Sequence, residues 1–590
     1  MKKTFLLSCL MLAAMPVMAA YTGRVYVDKN KNGVFDPGEK TWAGIKVSDG
    51  LNVVETAADG SFTLPGHERE RFIFITTPSG YKTFNRHYHK IEKKQSGYDF
   101  GLIPYSGRIR KDGSHRYIHI TDTEIFNTEN HADWVNNVRD YARNEQAAFI
   151  IHTGDICYEK GLKAHIKLMN TENMDCPVFY CIGNHDLVKG KYGEELFESI
   201  YGPVYYSFDA GNVHYVVTPM PGGDHAPGYT SDDVCRWLKN DLAHIRPGTP
   251  VVVFNHDLLT YEDTFIFKSK NAGSINLNEY NLKAWVYGHW HINYMKKQGD
   301  VYSVCTSSLD KGGIDHSTTA FRVMHVDSKG DFTSELRYTY LDKNICIASP
   351  AGVMASGVLP VAVNVYSSVS PVKEVLYTCL ADGKPVLKNK RLLQSTDWSW
   401  NGELPLSHKY VGKELTLRVT ARFNNGEIAE AESNFICRTE KTVPLFSADW
   451  DNLSGNAKHS APVSAPLNLP LQLAWTNNVG ANLYMTSPLI HKGKVIVASV
   501  DEDLKGAGHV YALNGKDGTI LWSCPVRNSI KNSIAVDSDI VFAQDAQGFL
   551  YAIDTETGKL CWEKQLPVNG LPALIDGLVA GEGVVYAGTG

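Results

Sequence analysis

The chain has 590 residues, several times the size of a typical domain, so its length predicts a multidomain protein. Hydrophobic residues make up 43% of it, charged residues 21%, and the formal net charge is -6, as in ordinary soluble globular proteins. There is no block of like charge, so nothing in the charge pattern indicates binding to nucleic acid or to a membrane surface.

Residues 1–20 have the layout of a cleavable secretory signal peptide. Lys2 and Lys3 precede an apolar run from Phe5 to Val17, and the small residues Ala19 and Ala20 follow. A membrane anchor is the alternative, but the run is shorter than the roughly 20 residues that a spanning helix needs. We therefore predict an exported protein without a transmembrane segment, in the periplasm or outside the cell, either free or surface-associated.

Ten cysteines follow the predicted cleavage site, without the dense and regular spacing of a disulfide framework. Most are therefore predicted to be buried as small apolar side chains. Cys176 and Cys181 are close enough in sequence to pair in an oxidising compartment. Their odd separation, however, would point them to opposite faces of a strand.

Residues 21–105 alternate short β-type runs with turn residues, which predicts a small β-sandwich. Between its first two strands lies the run DKNKNGVFDPGE, which resembles the calcium loops of β-modules in bacterial surface proteins. A polar hairpin whose Asn and Gly residues suit tight turns is the alternative. The calcium reading takes the side chains at positions 1, 3, 5, 9 and 12 as ligands of one structural ion, namely Asp28, Asn30, Asn32, Asp36 and Glu39.

Residues 114–340 alternate buried-type strands with helical stretches, which predicts an α/β core. The strand runs YIHIT, AAFIIHTG, VFYCIG, PVVVFN and KAWVYG are each followed by polar residues. Apolar side chains share one helical face from Trp134 to Ala142, and a second such face runs from Val234 to Leu242. Because ligands of α/β folds gather at the carboxyl ends of strands, we expect these polar residues to form a site.

Residues 347–440 return to β-type runs alone, among them LPVAVNVYSS, KEVLYTCLADG and LTLRVTARF. Their length and turn spacing are typical of an immunoglobulin-like β-sandwich. This segment contains no cluster of catalytic residue types. We therefore assign it a binding or spacing role, with a protein or a glycan as the partner of the β-modules.

Residues 445–590 contain an internal repeat. The run YALNGKDGTILW begins at Tyr511 and YAIDTETGKLCW at Tyr551, 40 residues later, each with a tryptophan at the same place. Period and pattern suit four-stranded propeller blades, and the segment resembles the quinoprotein-type β-propeller, with Trp475 opening its first blade. Only about three blades fit, whereas closed propellers have four or more. We therefore predict a partial propeller, truncated or vestigial, and the resemblance does not imply a bound quinone.

Five short motifs of metal-binding residue types occur in order within the α/β region. Each lies just after an apolar strand; one alone would be weak evidence, but five in order are not expected by chance. The motifs are Asp122-Thr123-Glu124, Gly154-Asp155-Ile156-Cys157-Tyr158, Gly183-Asn184-His185-Asp186, Asn255-His256-Asp257 and Gly288-His289-Trp290-His291.

This order resembles the calcineurin-like metallophosphoesterase family, whose pattern runs DxH, GDxxD, GNHD or GNHE, a lone His, and GHxH. The resemblance covers about residues 114–340, and the run YGPVYYSFDAGNVHYVV is typical of the secreted bacterial members. The N-terminal segment is similar to the domain attached to some secreted phosphoesterases. The resemblance implies a four-layer α/β core, flanked here by β-sandwich modules and the partial propeller.

The resemblance also implies two transition-metal ions. Nitrogen and oxygen ligands of this kind suit manganese, iron or zinc, as a divalent or mixed-valence pair. Such a pair lowers the pKa of a bound water to about 7, so that a bridging hydroxide attacks phosphorus at neutral pH. Carried over by position, the bridging ligand is Asp155, the first ion is held by Asp122 and His291, and the second by Asn184, His256 and His289.

His185 is not needed as a metal ligand in the family scheme. The resemblance implies that it donates a proton to the leaving oxygen, with Asp186 holding its ring in place. A structural hydrogen bond at the strand end is the alternative role.

Two positions depart from the family pattern. Glu124 stands where the family usually has histidine, and its carboxylate would bind the first metal directly or through water. Tyr158 stands where aspartate is frequent, and GDxxY is instead the pattern of purple acid phosphatases, in which the tyrosine binds ferric iron. Tyr158 is therefore either a metal ligand or a residue that lines the pocket.

We predict a hydrolase of phosphoric mono- or diesters, with a phosphate ester as its substrate. The alternative is a catalytically inactive extracytoplasmic scaffold that binds partners through its β-modules; Glu124 favours it, and the intact ligand positions count against it. The sequence does not specify the substrate. His152, His225, Tyr205 and Tyr206 are pocket candidates, but packed or turn positions suit them equally well.

Overall fold

The computed structural model describes residues 20–92, 95, 97–439, 449–460, 473–567, 571 and 577–588. The predicted signal peptide lies outside these residues except for Ala20. Strands dominate the described part of the chain, which also contains four α-helices. None of the helices in this part is long and apolar enough to cross a membrane.

The N-terminal domain consists of two four-stranded sheets that enclose a shared apolar core. Its strands are β1 (Tyr21–Val27), β2 (Lys46–Ser48), β3 (Val53–Glu55), β4 (Ser61–Leu64), β5 (Phe72–Ile75), β6 (Tyr81–Thr83), β7 (Tyr88–Lys90) and β8 (Phe100–Pro104). One sheet has the order β4-β1-β8-β6 and the other β3-β2-β5-β7. Alternation along β4 buries Phe62 and Leu64 in this core.

The N-terminal domain is joined to the next domain by polar contacts. Arg71 Nη2 lies 2.7 Å from a carboxylate oxygen of Glu194 and 2.8 Å from one of Glu198, and both glutamates are buried. The hydroxyls of Thr76 and Ser207 are 2.9 Å apart. These ion pairs and this hydrogen bond hold the N-terminal domain against the central domain.

The central domain contains thirteen of the described strands and all four described α-helices. The strands are β9 (His115–Ile120), β10 (Phe149–His152), β11 (Val178–Tyr180), β12 (Tyr206–Ala210), β13 (Val213–Val217), β14 (Val251–Phe254), β15 (Ile266–Lys268), β16 (Ser274–Asn276), β17 (Leu282–Tyr287), β18 (Tyr294–Gln298), β19 (Val301–Cys305), β20 (Ala320–Val326) and β21 (Phe332–Tyr338). The helices are α1 (Ala132–Asn144), α2 (Tyr158–Leu168), α3 (Glu195–Tyr201) and α4 (Ser231–Ala243).

Two sheets form the centre of this domain, with the orders β11-β10-β9-β20-β21 and β12-β13-β14-β17-β19-β18. Their facing sides pack aromatic rings together, because Phe149 of β10 lies 4.9 Å from both Phe208 of β12 and Tyr215 of β13, measured between ring centroids. Helix α1 buries its apolar face against the other side of the first sheet. Helix α4, capped by Thr230, contributes Trp237 to the core of the second sheet.

The third domain is a β-sandwich of two sheets, in which most neighbouring strands are antiparallel, around its own core. Its strands are β22 (Asn344–Ser349), β23 (Gly352–Ala355), β24 (Val358–Tyr366), β25 (Val372–Ala381), β26 (Lys384–Arg391), β27 (Leu393–Gln394), β28 (Ser399–Pro405), β29 (Glu414–Phe423) and β30 (Ile428–Arg438). The sheet orders are β22-β24-β28-β27 and β23-β30-β29-β25-β26. Strand β29 alternates buried and solvent-facing residues along its whole length, as one side of a sandwich requires.

The C-terminal repeats form two four-stranded antiparallel sheets and one two-stranded sheet. Their strands are β31 (Leu489–His491), β32 (Lys494–Ala498), β33 (His509–Asn514), β34 (Ile520–Pro525), β35 (Ala535–Asp537), β36 (Ile540–Gln544), β37 (Phe549–Asp554), β38 (Leu560–Gln565), β39 (Val579–Gly581) and β40 (Val584–Tyr586). Each turn glycine lies against a tryptophan of the preceding repeat, because a Cβ on Gly518 would meet Trp475 at 2.3 Å and one on Gly558 would meet Trp522 at 2.6 Å. This shared contact shows that the repeats stack in the same way.

The repeats dock onto the central domain through a buried polar network. Lys531 Nζ lies 2.6 Å from Asp315 Oδ2 and 2.9 Å from Glu502 Oε1, and it donates to the carbonyl of Asn293 at 2.7 Å. The Asn528 side-chain amide donates to the carbonyl of Met295 in β18 at 3.0 Å. The two parts of the chain therefore meet through defined hydrogen bonds.

The ten described cysteines are all free, so the suggested Cys176–Cys181 disulfide is wrong. The two side chains belong to different apolar clusters, because five positions along the chain turn them to opposite sides of the first sheet. Eight of the ten are buried, as predicted for small apolar side chains.

Candidate metal centre

Strand ends bring the predicted motifs to one edge of the central domain. Asp122, Asp155 and Asn184 follow β9, β10 and β11, while His256 and His289 follow β14 and β17. Strands β9, β10 and β11 run parallel to one another, and so do β13, β14 and β17. Their carboxyl ends therefore meet where the side chains of both sheets can converge.

Seven residues of these motifs have a left-handed backbone, which non-glycine residues rarely adopt. Their φ angles lie between 42° and 72°. Strain of this kind clusters at functional sites, where the surrounding structure holds side chains in directions that regular elements do not offer. The seven are Asp122, Glu124, Asp155, Cys157, Tyr158, His289 and His291.

Two glycines make room for the central carboxylates. A Cβ on Gly183 would lie 2.2 Å from Asp155 Oδ1, and a Cβ on Gly288 would lie 2.5 Å from Asp122 Oδ2. Neither distance is possible between real atoms, so larger residues would displace the carboxylates. The glycines of GNHD and GHxH are thus explained by packing around the ligands.

One group of candidate ligands surrounds the buried Asp155. The ligand atoms of Asp155, His256 and His289 lie within 4.8 Å of one another. His256 Nε2 is 3.1 Å from Asp155 Oδ2 and 3.9 Å from Asp122 Oδ1. Nδ1 of His256 pairs with the Thr153 carbonyl at 2.7 Å, which orients the ring so that Nε2 faces the carboxylates.

A second group contains Asp122, Glu124 and His291. His291 Nε2 lies 3.3 Å from Asp122 Oδ1 and 3.6 Å from Glu124 Oε1. Glu124 also has a carboxylate oxygen within 4.8 Å of ligand atoms of Asp155 and Cys157. Asp155 therefore lies within reach of both groups, with ligand atoms within 4.8 Å of those of His256 and His289 on one side and of Glu124 on the other, as expected of a bridging ligand.

The buried atom Asn184 Oδ1, at the end of β11, has no hydrogen-bond partner within the described part of the chain. His256 Nε2 also lacks a hydrogen bond of good geometry there, although Asp155 Oδ2 lies 3.1 Å from it. Leaving a buried polar atom unpaired costs about 1–3 kcal/mol, so such atoms are rare without a reason. Both belong to residues predicted to bind the same ion. Histidine nitrogens with carboxylate and amide oxygens suit manganese, iron or zinc, so the residues present fit transition metals.

The charges at the centre act strongly on one another. Burial lowers the pKa of His256, but Asp155 and Asp122 outweigh it and raise the pKa to about 10. Burial raises the pKa of Asp155, whereas His256 and the backbone N–H of His185 lower it, to about 2 overall. The carboxylate is therefore ionised at neutral pH, as a metal ligand has to be, and a bound cation would take the place of the His256 proton.

The predicted partner of His185 is wrong. Asp186 is buried and accepts hydrogen bonds from the backbone N–H groups of Gly183 and Cys157, both at 2.9 Å, so its carboxylate holds the strand end. His185 Nδ1 instead lies 2.9 Å from Asp224 Oδ2. Burial lowers the pKa of His185, but the hydrogen bond with Asp224 and nearby carboxylates outweigh it, so the pKa lies above its ordinary value.

Besides Asp224, two further residues at the centre were missed by sequence reasoning. Lys311 Nζ donates to Glu124 Oε2 at 2.9 Å, although it lies 187 positions further along the chain and no motif marks it. Cys157, treated above as a small apolar residue, places its sulfur among the ligand atoms of Glu124 and Asp155. Burial and these carboxylates raise the pKa of the thiol well above its ordinary value, so it stays protonated.

Tyr158 lies at the rim of the centre and is 40% exposed. Its ring centroid is 5.5 Å from that of His185 and 6.5 Å from that of Phe126, on which it stacks. The side chain therefore lines the entrance beside His185, and metal ligation by Tyr158 stays a prediction.

The pocket candidates that the sequence left open are mostly packed. His152 is fully buried and pairs with Thr123 Oγ1 at 3.0 Å. Tyr206 is buried, Tyr205 packs against the same core, and only His225 is exposed. The interpretation as packed residues therefore holds for His152, Tyr205 and Tyr206.

Comparisons with known proteins find matches for three segments of the chain. Residues 29–104 match the family model described as the N terminal of calcineurin-like phosphoesterase, and residues 115–293 match that of calcineurin-like phosphoesterase itself. Residues 472–590 match the family model described as outer membrane protein assembly factor BamB.

A curated relative is purple acid phosphatase 13 of Arabidopsis thaliana, 26% identical over 215 residues. The match covers 34% of this chain and 36% of the relative, so the chain spans about a third of that protein. Similar solved structures include a predicted phosphoesterase of Streptococcus pneumoniae TIGR4 (10% identity, TM-score 0.18, covering 38% of this chain and 98% of that one). Another is BamB of Moraxella catarrhalis (13% identity, TM-score 0.14, covering 45% and 73%).

The matched residues 115–293 contain all five motifs whose side chains converge at the metal centre. The family match and the curated relative together support a metal-dependent phosphoesterase. The chain thus contains two segments that match the family models of the N-terminal domain and of calcineurin-like phosphoesterase itself, followed by a C-terminal repeat region that matches the BamB family model.

Proposed function

We propose that the chain is an exported hydrolase of phosphoric mono- or diesters that uses two transition-metal ions. The observation that carries this proposal is the convergence of the two ligand groups on Asp155, together with the buried and unpaired Oδ1 atom of Asn184 at the end of β11. Groups that hold only a fold together would be expected to pair with one another. Ligand atoms kept unpaired at this cost indicate a site built to receive cations.

The residues of the centre have separate roles in holding the two ions and in positioning the ligands. When bound, two such ions supply a water of lowered pKa and neutralise charge on the ester oxygens. Asp122 and His291 would hold one ion together with Glu124, while Asn184, His256 and His289 would hold the other, and Asp155 would contact both. Lys311 keeps the Glu124 carboxylate beside His291, because it binds the other oxygen of that carboxylate.

His185 is placed to serve as the proton donor. Hydrolysis forms a bond from water oxygen to phosphorus and breaks the bond to the alcohol oxygen, which then needs a proton. Asp224 pairs with Nδ1 of His185, which leaves Nε2 available to donate a proton to the leaving oxygen, and the carboxylate favours the protonated ring. The products are the free alcohol and the phosphate, or a phosphate monoester if the substrate is a diester.

We propose manganese, iron or zinc as the metals, and export to the periplasm or the cell exterior. The relative's name, purple acid phosphatase, and the GDxxY motif support iron at the site nearest Tyr158. A visible absorption band that Tyr158→Phe abolishes would assign the tyrosine as an iron ligand. A colourless, active protein loaded with manganese alone would rule that assignment out.

The deciding experiment measures metal content and turnover on the same preparation. Residues 21–590 would be analysed for bound metals by mass spectrometry and assayed with aryl phosphate mono- and diesters. We expect about two transition-metal ions per chain, and Asp155→Ala should lower both metal content and turnover, the latter at least about 100-fold. Protein that stays metal-free and inactive after addition of manganese, zinc or iron would instead support the scaffold alternative.

A further inference from the structure

A cleft of about 720 Å³ lies between the central domain and the C-terminal repeats. Its volume falls within the range of small-molecule sites, which is about 300–1,000 Å³. Tyr261, Trp290 and Gln298 line one wall, and Arg527 and Phe549 line the other. We call this feature the aromatic cleft.

Two loops contribute residues both to the aromatic cleft and to the candidate metal centre. Trp290 stands between the metal-ligand positions His289 and His291, and consecutive Cα atoms are only about 3.8 Å apart. Leu258, another lining residue, comes two positions after His256. The loops after β14 and β17 therefore each carry a metal-ligand position and a residue that lines the cleft.

The walls of the cleft offer flat aromatic surfaces. Tyr261 is 62% exposed, yet its ring is held nearly parallel to Trp290, with 5.9 Å between centroids and 17° between planes. On the opposite wall, the Arg527 guanidinium lies 4.3 Å from the centroid of Phe549. Parallel aromatic faces of this kind bind planar rings by stacking.

The cleft also contains an unused hydrogen-bond acceptor. Gln298 is 1% exposed, and its amide nitrogen donates to the carbonyls of Thr260 and Glu262 at 3.1 and 2.8 Å. Its Oε1 atom has no partner within the described part of the chain. Since the two donated bonds fix the amide, Oε1 is free to accept from a ligand N–H or O–H.

We infer that the aromatic cleft binds the alcohol portion of the substrate, and that this portion carries a planar ring with a hydrogen-bond donor. This inference rests on the proposed function and narrows its substrate class to phosphate esters of large, ring-bearing alcohols. The C-terminal repeats then supply one wall of the substrate site, through Arg527 and Phe549. They are part of the enzyme's specificity and not only an attachment module.

The test compares two esters whose leaving groups differ only by the ring. Ethyl phosphate and 2-phenylethyl phosphate are both esters of primary alcohols, so their intrinsic reactivities are alike. We expect kcat/KM of the full chain to be about tenfold higher for the phenylethyl ester, since a stacked aromatic pair contributes up to about that factor. Tyr261→Ala should abolish this preference, measured as the ratio of kcat/KM for the two esters.

Tyr586→Ala is the matched control, because Tyr586 is 64% exposed and lies outside the cleft. Phe549→Ala tests the second wall, with its melting temperature checked alongside. Binding of 2-phenylethyl phosphate to metal-free protein, measured by calorimetry, is independent of turnover. Equal kcat/KM for both esters in the unmodified chain would overturn the inference and leave the hydrolase intact.

The remaining outcomes separate the inference from the proposed function. Suppose that neither ester is hydrolysed but calorimetry shows binding that Tyr261→Ala removes. Ring binding in the cleft is then supported, and the proposed hydrolase function is contradicted. If neither hydrolysis nor Tyr261-dependent binding is found, both are overturned. A preference lost equally in Tyr261→Ala and Tyr586→Ala would also count against the cleft.

Discussion

At the scale of single residues, Asp224 gives the clearest test of the proposed chemistry. Asp224→Asn keeps a group that can bond to His185 Nδ1 but removes its charge, so the pKa of His185 should fall towards its ordinary value. We expect kcat for alkyl phosphates to drop roughly tenfold and the alkaline limb of its pH profile to move to lower pH. Aryl phosphates, whose leaving groups need less help from an acid, should be affected less.

The control for this prediction is Asp382→Asn, since Asp382 is 80% exposed and lies in the third domain. An unchanged pH profile for Asp224→Asn, with kcat reduced equally for alkyl and aryl esters, would show that Asp224 only supports the loop.

Another residue-scale prediction concerns stability and His214. Its ring is buried between Asp209 and Asp241, at 2.7 and 2.8 Å. Burial lowers the pKa of His214, but Asp241 and Asp209 outweigh it and raise the pKa to about 9. Because the pKa of His214 is higher in the folded state than in the unfolded state, where it is about 6.5, protonation of this ring stabilises the fold. The stabilisation is complete below about pH 6.5 and is lost as the pH rises through about 9.

We therefore expect the urea midpoint to fall between pH 6.5 and 9.5, and His214→Gln to lower the midpoint at pH 6.5 while flattening its pH dependence. His408→Gln, at an exposed position of the third domain, should leave the pH dependence as it is. A midpoint that is independent of pH in the unmodified protein would contradict the assigned role of His214.

The metal-ligand positions could be predicted from the sequence because each motif follows a strand, and parallel strands bring their carboxyl ends together. The roles of Asp224 and Lys311 could not be predicted in this way. Both lie on loops distant in sequence from their partners, and a single Asp or Lys on a loop carries no periodic signal. Asp186 was misassigned because its neighbour His185 points away from it, which only the backbone geometry reveals.

At the scale of elements, the loop between β1 and β2 tests the calcium prediction. Asp28 accepts hydrogen bonds from the backbone of Asn32 and Gly33, at 3.2 and 2.8 Å, and both asparagine amides of the loop donate to Asp36 Oδ2. The five predicted ligands thus lie in one compact loop. These internal bonds also agree with the polar-hairpin alternative, so a measurement has to decide.

We expect calcium to raise the melting temperature of the full chain by a few degrees, since an ion at 100 times its Kd adds about 2.7 kcal/mol to stability. Asp28→Asn should remove most of this increase, because it loses a charged ligand while keeping oxygen acceptors. Asp59→Asn, in an exposed turn of the same domain, is the control. A melting temperature that calcium does not change would favour the polar hairpin.

The elements themselves were predicted well where apolar patterns are strong. The strands and the two amphipathic helices of the central domain lie where the hydrophobic period places them. The packing of the repeats followed from their spacing only in part. Their stacking depends on Trp475 lying over Gly518 and Trp522 over Gly558, which are contacts between repeats that no local pattern states.

At the scale of the whole molecule, Lys531 holds the repeats to the central domain. Lys531→Met would leave Asp315 and Glu502 buried without their cation, and breaking a buried pair in this way costs about 3–5 kcal/mol. We expect calorimetry to show the repeats unfolding at a lower temperature than the central domain. Lys516→Met, at an exposed turn of the first repeat, should leave the unfolding profile unchanged.

The effect of Lys531→Met should also reach the metal centre. Lys531 binds the carbonyl of Asn293, two positions after His291, and Ile314 N–H binds the carbonyl of His291 itself at 2.9 Å. We expect the variant to hold less metal than the unmodified chain when both are dialysed together. Equal metal content, with a single unchanged unfolding transition, would show that the network is dispensable.

The buried network between the repeats and the central domain also limits how the two parts can change over evolutionary time. Arg322 of β20 is fully buried, and its Nη1 atom lies 2.5 Å from Asp503 Oδ1 of the repeats, beside the buried polar network around Lys531. An unrelated repeat array joined to this domain would leave Arg322 and Asp315 buried without the oppositely charged partners that the repeats supply. The two parts are therefore expected to be inherited as a pair, with substitutions on one side matched by substitutions on the other.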